Sequence, residues 1–165
     1  RASFEMPNGE KLGAYIPFYF GARMPMLYVI QKAYNGVNRI APENIVYCVS
    51  TVRKIIEHDL KFVFTDGHAI DSFSDFFDPS NVQRIENIID QKAIGCKYWV
   101  DENDLDLKRR KEAEFLVYND IPVTAIDHYI VYNESARNKL VALGIDKKSI
   151  FIKSEYYFLF TSTFP

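Results

Sequence analysis

The chain has 165 residues, of which 48% are hydrophobic and 25% charged, a length that fits one globular core. Its longest apolar runs are far shorter than the ~20 residues of a membrane-spanning helix, so we expect no membrane association. The net charge of −2 does not indicate a nucleic-acid ligand for the whole chain, so charge has to be examined segment by segment. Nothing at the start resembles a secretory signal, and we expect a cytoplasmic protein.

The cysteines and aromatic residues narrow the chemistry further. Cys48 and Cys96 lie far apart, without a Cys-x-x-Cys pair or clustered histidines, so we expect buried thiols and no metal site. Aromatic residues make up 15% of the chain. Aromatic rings fill cores efficiently, which is the default interpretation, but they also provide surfaces on which nucleic-acid bases stack.

The first part of the chain predicts a loop, an extended segment and a helix. Polar residues 1–11 form the loop. Leu12 to Phe20 is extended, and Pro17 argues against a central strand. Pro25 suits the first turn of a helix over Met26 to Tyr34, which the following Asn-Gly pair ends.

Two strands and a short helix follow. Asn44 to Val49 has the β-branched composition of a buried strand, and Ser50 is a candidate N-cap for a helix to about His58. Lys61 to Thr65 predicts the second strand, which ends in an Asp-Gly turn.

The middle of the chain combines a helix with a charged connection. Asp78 and Pro79 are a strong helix start, and the apolar spacing predicts a helix to about Asp90. Asp101 to Lys111 is a highly charged connection, and a new apolar element begins at Glu114.

The last part predicts two strands around a helix. Val123 to Tyr132 is the clearest long strand, Asn133 caps the helix and Gly144 ends it. Ser149 to Lys153 is a final strand, before an aromatic tail over Tyr156 to Phe160. Because no βαβ repeat, Gly-x-Gly-x-x-Gly motif or Walker loop is present, the sequence predicts the α+β class.

Three clusters contain polar residues that a hydrophobic core would not select. In the first, Arg23 stands in an aromatic segment, where its charge needs a carboxylate or phosphate partner or a path to solvent. In the second, Asp66 and His68 follow a strand; such a histidine is either a site residue or simply exposed. In the third, four cations precede Glu114, which either pairs with Arg110 on a solvated helix or acts on a sugar.

In this order the three clusters resemble the DarT family of DNA ADP-ribosyltransferase toxins. Tyr15 to Tyr28 is similar to the family's aromatic-Pro-Phe-Tyr-Phe-x-x-Arg-x-Pro-Met-Leu-Tyr motif, apart from Met24, where the family tends to have a small polar residue. Thr65 to Ala69 resembles its central Asp-x-x-Ala turn, and Lys111 to Val117 its catalytic Ala-Glu-Phe-Leu-Val segment. The aromatic ending at residues 156–158 also fits.

The resemblance implies a fold and a reaction. The expected fold is a single ADP-ribosyltransferase domain over residues 1–165, a split antiparallel sheet with NAD in the cleft. The expected reaction moves ADP-ribose from NAD, the substrate, onto a base of single-stranded DNA, with thymine favoured over guanine. No metal is expected. A neutralising antitoxin with a macrodomain is the expected partner, and the toxin itself is expected to be a monomer.

The resemblance also assigns roles to residues. It makes Glu114 the catalytic carboxylate and Arg23 a second catalytic residue that contacts NAD, while Tyr15 and Tyr28 line the cofactor pocket. DNA contacts are expected from His68, Lys108, Arg109, Arg110 and Lys111. Family members usually begin with a His and a downstream Asn-Leu pair that help to hold NAD. These do not precede Arg1 here, so we expect the N-terminal NAD-binding segment to be missing.

Two alternatives stay open at this point. The chain could be an NAD-dependent transferase acting on RNA or protein, including the RNA 2′-phosphotransferases that share the fold. It could also be a catalytically impaired module that binds single-stranded nucleic acid through stacking and phosphate contacts.

Overall fold

The computed structural model describes residues 1–158, which form a mixture of helices and two β-sheets and confirm the α+β class. The strands are β1 Tyr15–Tyr19, β2 Tyr47–Val49, β3 Phe62–Thr65, β4 Phe76–Phe77, β5 Glu114–Tyr118, β6 His128–Val131 and β7 Ile150–Ile152. The helices are α1 Pro25–Lys32, α2 Val52–Glu57, α3 Ile85–Ile88, α4 Gln91–Gly95, α5 Leu107–Lys111 and α6 Glu134–Ala142.

The chain divides into two compact units. The first contains Arg1–Pro25 and Asp59–Ile121, and the second contains Met26–His58 and Pro122–Pro165. Each unit has its own sheet: β1, β3, β4 and β5 in the first, and β2, β6 and β7 in the second.

The sheet of the first unit is antiparallel, with the order β1-β5-β3-β4. Strand β5 lies inside the sheet, and its first four residues are buried. Strand β1 lies at the edge, as Pro17 predicts, because proline cannot donate a ladder hydrogen bond. A central strand therefore presents Glu114, its first residue, to a closely packed environment.

The helical part of the first unit differs from the prediction. The prediction of one helix from Asp78 to Asp90 is wrong. Pro79–Arg84 is a 3₁₀ helix that α3 follows, and Asp90 caps the next helix, α4. The Asp90 carboxylate accepts the N–H groups of Lys92 at 3.0 Å and Ala93 at 2.9 Å. The basic run, expected within a charged connection, forms α5.

The second unit contains a parallel strand pair that the sequence analysis did not predict. Strands β6 and β7 pair in parallel and are connected through α6, so they form a βαβ unit. Helix α6 packs on them through Val131, Ala136 and Ile150. The Asn133 cap is confirmed by its bond from the Ala136 N–H, and Gly144 follows the helix with a φ of +91°.

Other predictions for the second unit need correction. The long strand from Val123 shrinks to β6, because Val123–Ala125 forms a 3₁₀ turn after Pro122. Thr51, not Ser50, caps α2; its hydroxyl accepts the Lys54 N–H at 3.1 Å. The expectation of buried thiols is also wrong: Cys48 is exposed on edge strand β2 and Cys96 is half-buried.

Some parts of the prediction agree closely. Helix α1, strand β3 and strand β7 form where the sequence placed them, and the Asp-Gly turn follows β3. Of the predicted aromatic tail, Tyr157 and Phe158 are buried, while residues 159 and 160 lie outside the described residues. Among the described residues, no helix is both long and apolar enough to cross a membrane.

Two glycines differ sharply in the space around them, which gives a test of packing in the first unit. A Cβ on Gly21 would lie 2.4 Å from the backbone oxygen of Ile94, whereas a Cβ on Gly95 would meet nothing within 4 Å. We expect Gly21→Ala to lower the free energy of unfolding by about 1–3 kcal/mol, because a backbone atom has to move. Gly95→Ala should be neutral or slightly stabilising. Denaturant unfolding of both variants measures the difference; equal stabilities would contradict it.

Candidate active site

Glu114 is the only carboxylate in the described residues that is completely buried in the first unit's sheet. Its exposed fraction is 0%, and it pairs in register with Tyr19 of β1. Burying an ionised carboxylate costs several kcal/mol unless charges and hydrogen bonds compensate it. The surrounding donors therefore decide whether Glu114 can be an anion.

Arg1 supplies the compensating charge. Its two terminal nitrogens donate to the two carboxylate oxygens of Glu114; the bond from Nη1 to Oε1 is 3.0 Å long. The Ala69 backbone N–H donates to the same Oε1 at 3.0 Å. A two-pronged guanidinium contact and a backbone donor compensate the burial of the carboxylate, because charge-assisted hydrogen bonds are the stronger ones. Burial and the negative charge of Glu114 also raise the pKa of Tyr19, which stays a neutral phenol.

His68 approaches the same carboxylate oxygen of Glu114 as the Ala69 N–H. Its Nδ1 is buried and lies 3.3 Å from Oε1 of Glu114, without closing a hydrogen bond. An anionic oxygen at this distance favours the tautomer that carries its proton on Nδ1. The other ring nitrogen, Nε2, is then an acceptor.

The turn that carries His68 is attached directly to strand β5. The Thr65 hydroxyl donates to the Gly67 carbonyl at 2.6 Å and accepts the Glu114 backbone N–H at 3.1 Å. The His68 N–H donates to the backbone oxygen of Arg109 at 3.0 Å. These bonds hold the turn and strand β5 together next to the side chains of His68 and Glu114.

Gly67 is required because Arg109 packs directly over the turn. A Cβ there would lie 2.4 Å from Nη1 of Arg109 and 2.7 Å from the Ser74 oxygen. The Arg109 guanidinium is itself held by Asp66 at 3.0 Å and by Asp106 at 2.7 Å. The Asp-Gly pair therefore anchors the turn on α5, a function beyond reversing the chain.

The basic run of α5 is engaged mostly within the protein. Arg110 pairs with Asp90, Asp104 and Asp106. Lys111 is completely buried and donates to the backbone oxygens of Cys96 at 2.7 Å and Ile94 at 3.3 Å. Burial, with a contribution from the Arg23 charge, lowers the pKa of Lys111. Lys108, whose side chain is 59% exposed, is the most accessible of the four cations.

The other predicted site residues occupy different surroundings. Arg23 precedes α1 with a left-handed φ of +57°, close enough to Lys111 to influence its pKa. Tyr15 lies at the opposite end of β1 from Tyr19, and its hydroxyl donates to Glu10. Tyr28 belongs to the second unit and stacks on Tyr34. The pairing of Glu114 with Arg110 that the sequence left open does not form.

Sequence reasoning missed Arg1, which it assigned to a polar loop, and Thr65. The only signal for Arg1 was that a buried carboxylate needs a counter-charge. Within the described residues, Oε1 of Glu114 has three nitrogens around it, whereas Oε2 accepts only from Arg1. A carboxylate oxygen can accept two hydrogen bonds, so Oε2 has the capacity for a ligand hydroxyl. Because the Glu114 side chain is 0% exposed, a ligand reaches this oxygen only when the Arg1 side chain, which is 28% exposed, moves aside. No cluster of His, Cys, Asp or Glu in residues 1–158 is arranged to hold a metal ion.

Comparisons with known proteins match most of this chain. A family model described as "ssDNA thymidine ADP-ribosyltransferase, DarT" matches residues 1–158. A DNA ADP-ribosyl transferase of Thermus sp. (strain 2.9) is 35% identical over 147 residues, which are 87% of this chain and 66% of the relative. The chain thus spans just under two thirds of that relative's length.

Solved structures show the same fold. Thermus sp. 2.9 DarT in complex with NAD+ superposes with a TM-score of 0.79 at 31% identity, over 96% of this chain and 79% of that chain. The complex of that protein with ADP-ribosylated ssDNA gives the same TM-score and identity, over 96% of this chain and 75% of that chain. The expected ADP-ribosyltransferase fold is therefore confirmed.

The Thr65 hydroxyl provides a test of how the site is held. In Thr65→Val, two buried groups, the Gly67 carbonyl and the Glu114 N–H, lose their partner, and we expect a loss of about 1–3 kcal/mol in the free energy of unfolding. Thr65→Ser keeps the hydroxyl and should lose less. Chemical denaturation of both variants measures this; a Thr65→Val protein as stable as the wild type would show that the hydroxyl does not hold the turn.

Proposed function

Because the chain belongs to the DarT family of single-stranded-DNA thymidine ADP-ribosyltransferases, we propose that it transfers ADP-ribose from NAD+ to thymidine in single-stranded DNA. The observation that carries the proposal is the buried Glu114 carboxylate, held by Arg1 and Ala69 beside His68. The Thermus protein with the same fold binds NAD+ and ADP-ribosylated ssDNA, which supports both substrates.

The reaction exchanges one bond at the anomeric carbon of the nicotinamide ribose. The bond from this carbon to nicotinamide breaks, and nicotinamide leaves as a neutral molecule with the electron pair. A bond forms to a nucleophile on thymidine, and we infer that this is N3, the ring nitrogen of the base not bound to deoxyribose that carries a proton. This proton is lost in the step, so the site needs both an anion near the cationic sugar and a base.

Glu114 is the group that stabilises the sugar. When the Arg1 side chain moves aside from Oε2, this oxygen accepts a hydroxyl of the nicotinamide ribose, which places a negative charge against the positive charge that develops on the ring. Arg1 and Ala69 hold the carboxylate in one orientation, so little reorganisation is required in the transition state. Arg1 therefore acts as a positioning residue through Glu114.

His68 is the group that accepts the N3 proton. The tautomer favoured by Glu114 leaves Nε2 as an acceptor, and the side chain is 23% exposed, so a substrate can reach it. A single-stranded base is already unpaired, so no cost of opening a duplex is added.

Further residues contribute to the binding of NAD+ and DNA. Arg23 contacts the phosphates of NAD+. Lys108 is the best candidate in α5 for a DNA phosphate, because its side chain is the most exposed of the four cations and its one carboxylate contact, with Glu112, is 3.6 Å long, whereas Lys111 is buried and the two arginines are held by aspartates. The protein acts in the cytoplasm as a monomeric toxin, without a metal, and an antitoxin with a macrodomain reverses the modification.

Glu114→Gln tests the carboxylate. It keeps the shape but removes the charge, so transfer of ADP-ribose to a mixed-sequence DNA oligonucleotide should fall by at least about 100-fold. Glu112→Gln is the matched control: Glu112 is also largely buried but contacts Lys108, and it should stay within a few-fold of wild type. Mass spectrometry of the DNA measures the adduct. Full transfer by Glu114→Gln would contradict the mechanism. If the wild-type protein modified only RNA or protein, a transferase with another substrate would be supported. If it bound DNA without transfer, a catalytically impaired binding module would be supported.

The N3 proton gives a second test from the substrate side. An oligonucleotide whose only thymidine carries a methyl group on N3 has no proton to lose and should give no adduct, while the unmodified strand reacts. His68→Asn should slow transfer by about 100-fold, because it cannot accept the proton as imidazole does. Normal reaction of the methylated strand would exclude N3 as the nucleophile.

A further inference from the structure

A groove in the first unit lies between the two segments that hold Glu114. One wall is formed by Phe4, Glu5, Met6 and Pro7, which follow Arg1, and the other by Asp71, Ser72, Ser74 and Phe76, which follow Ala69. Its volume is about 320 Å³. Since Arg1 and Ala69 both bind the carboxylate of Glu114, each wall is connected within a few residues to the candidate active site.

The wall next to His68 stays close to it because it is built from two successive turns. The Asp71 N–H donates to the His68 carbonyl at 2.8 Å, and the Ser74 N–H donates to the Asp71 carbonyl at 3.0 Å. Each such turn spans less than about 7 Å between its end Cα atoms. Ser74 therefore lies within about 14 Å of His68, a distance that one or two nucleotides of an extended strand can cover.

The lining of the groove suits a base and does not suit a phosphate. The rings of Phe4 and Phe76 are nearly parallel, 15° apart, and offer apolar surface on which a base can stack. The charged side chains are both carboxylates, Glu5 and Asp71, which repel phosphate. Carboxylates accept hydrogen bonds, however, from the exocyclic amino groups of adenine, cytosine and guanine. Thymine has no such group.

We propose that this groove binds the base of a nucleotide next to the target thymidine and selects bases with an exocyclic amino group. The inference rests on the proposed function, since it names the substrate sequence of the same site. Phe4 and Phe76 provide the stacking surface, and Asp71, with Glu5, accepts from the amino group. Thymine as the neighbouring base is disfavoured because its one donor on this edge, the N3–H, lies between two carbonyl oxygens, at least one of which would face a carboxylate.

Asp71→Asn is the sharpest variant for a test. Oδ1 of Asp71 accepts the Phe73 N–H at 3.0 Å, and asparagine keeps such an oxygen, so the turn can persist. The other carboxylate oxygen becomes an amide donor, which suits the carbonyl of thymine instead of an amino group. Glu5→Gln makes the same change on the opposite wall.

The experiment measures initial transfer rates on short DNA strands that contain one target thymidine. The neighbouring base is varied among adenine, cytosine, guanine and thymine, on each side in turn. For wild type we expect amino-bearing neighbours on one side to react at least about fivefold faster than thymine. Asp71→Asn or Glu5→Gln should reduce or reverse this ratio, and Phe76→Leu should slow every strand except one with an abasic neighbour. A ratio does not depend on the fraction of active protein, so partial misfolding does not mimic the effect.

Two results would overturn the inference. One is a ratio that is the same in wild type and in both carboxylate variants. The other is that the groove variants keep the wild-type ratio of transfer rates but are no longer neutralised by the antitoxin. That result would make the groove a protein-docking site. If no strand gives an adduct with wild-type protein, the proposed function itself fails, and this outcome is distinguishable from an adduct without neighbour selectivity.

Discussion

The organisation of the first unit depends on one constraint, an ionised carboxylate buried at the start of a central strand. Glu114 is fully buried, and removing such a charge from water is affordable only with a charged, well-oriented partner. Arg1 supplies that partner through two donors, and Ala69 adds a backbone N–H. The same compensation that permits burial leaves the carboxylate preorganised, and a shift of the partly exposed Arg1 side chain would open Oε2 to a ligand.

The surrounding structure serves to keep this arrangement in place. Thr65 joins the start of β5 to the turn that carries His68, and the bond from the His68 N–H to the backbone oxygen of Arg109 connects the turn to α5. Gly67 permits the contact because it has no Cβ. In the basic run of α5, Arg109 and Arg110 pair with aspartates of the same unit. These two cations therefore help to hold the site together.

Local signals in the sequence predicted much of the fold and the central residue of the site. Pro17 placed β1 at an edge, Asn133 capped α6, and the family motif identified Glu114. The parallel pairing of β6 and β7 and the role of Arg1 could not be predicted, because both depend on contacts between distant segments. Arg1 and Glu114 are 113 residues apart, and neither neighbourhood alone contains information about the other.

A crystal structure of this protein bound to NAD+ would show whether Glu114 binds the nicotinamide ribose. We expect a hydroxyl of the nicotinamide ribose within about 3 Å of Oε2 of Glu114, with Ala69 still donating to Oε1. A nicotinamide ribose bound away from Glu114, with Arg1 still saturating the carboxylate and no hydroxyl in reach, would contradict it.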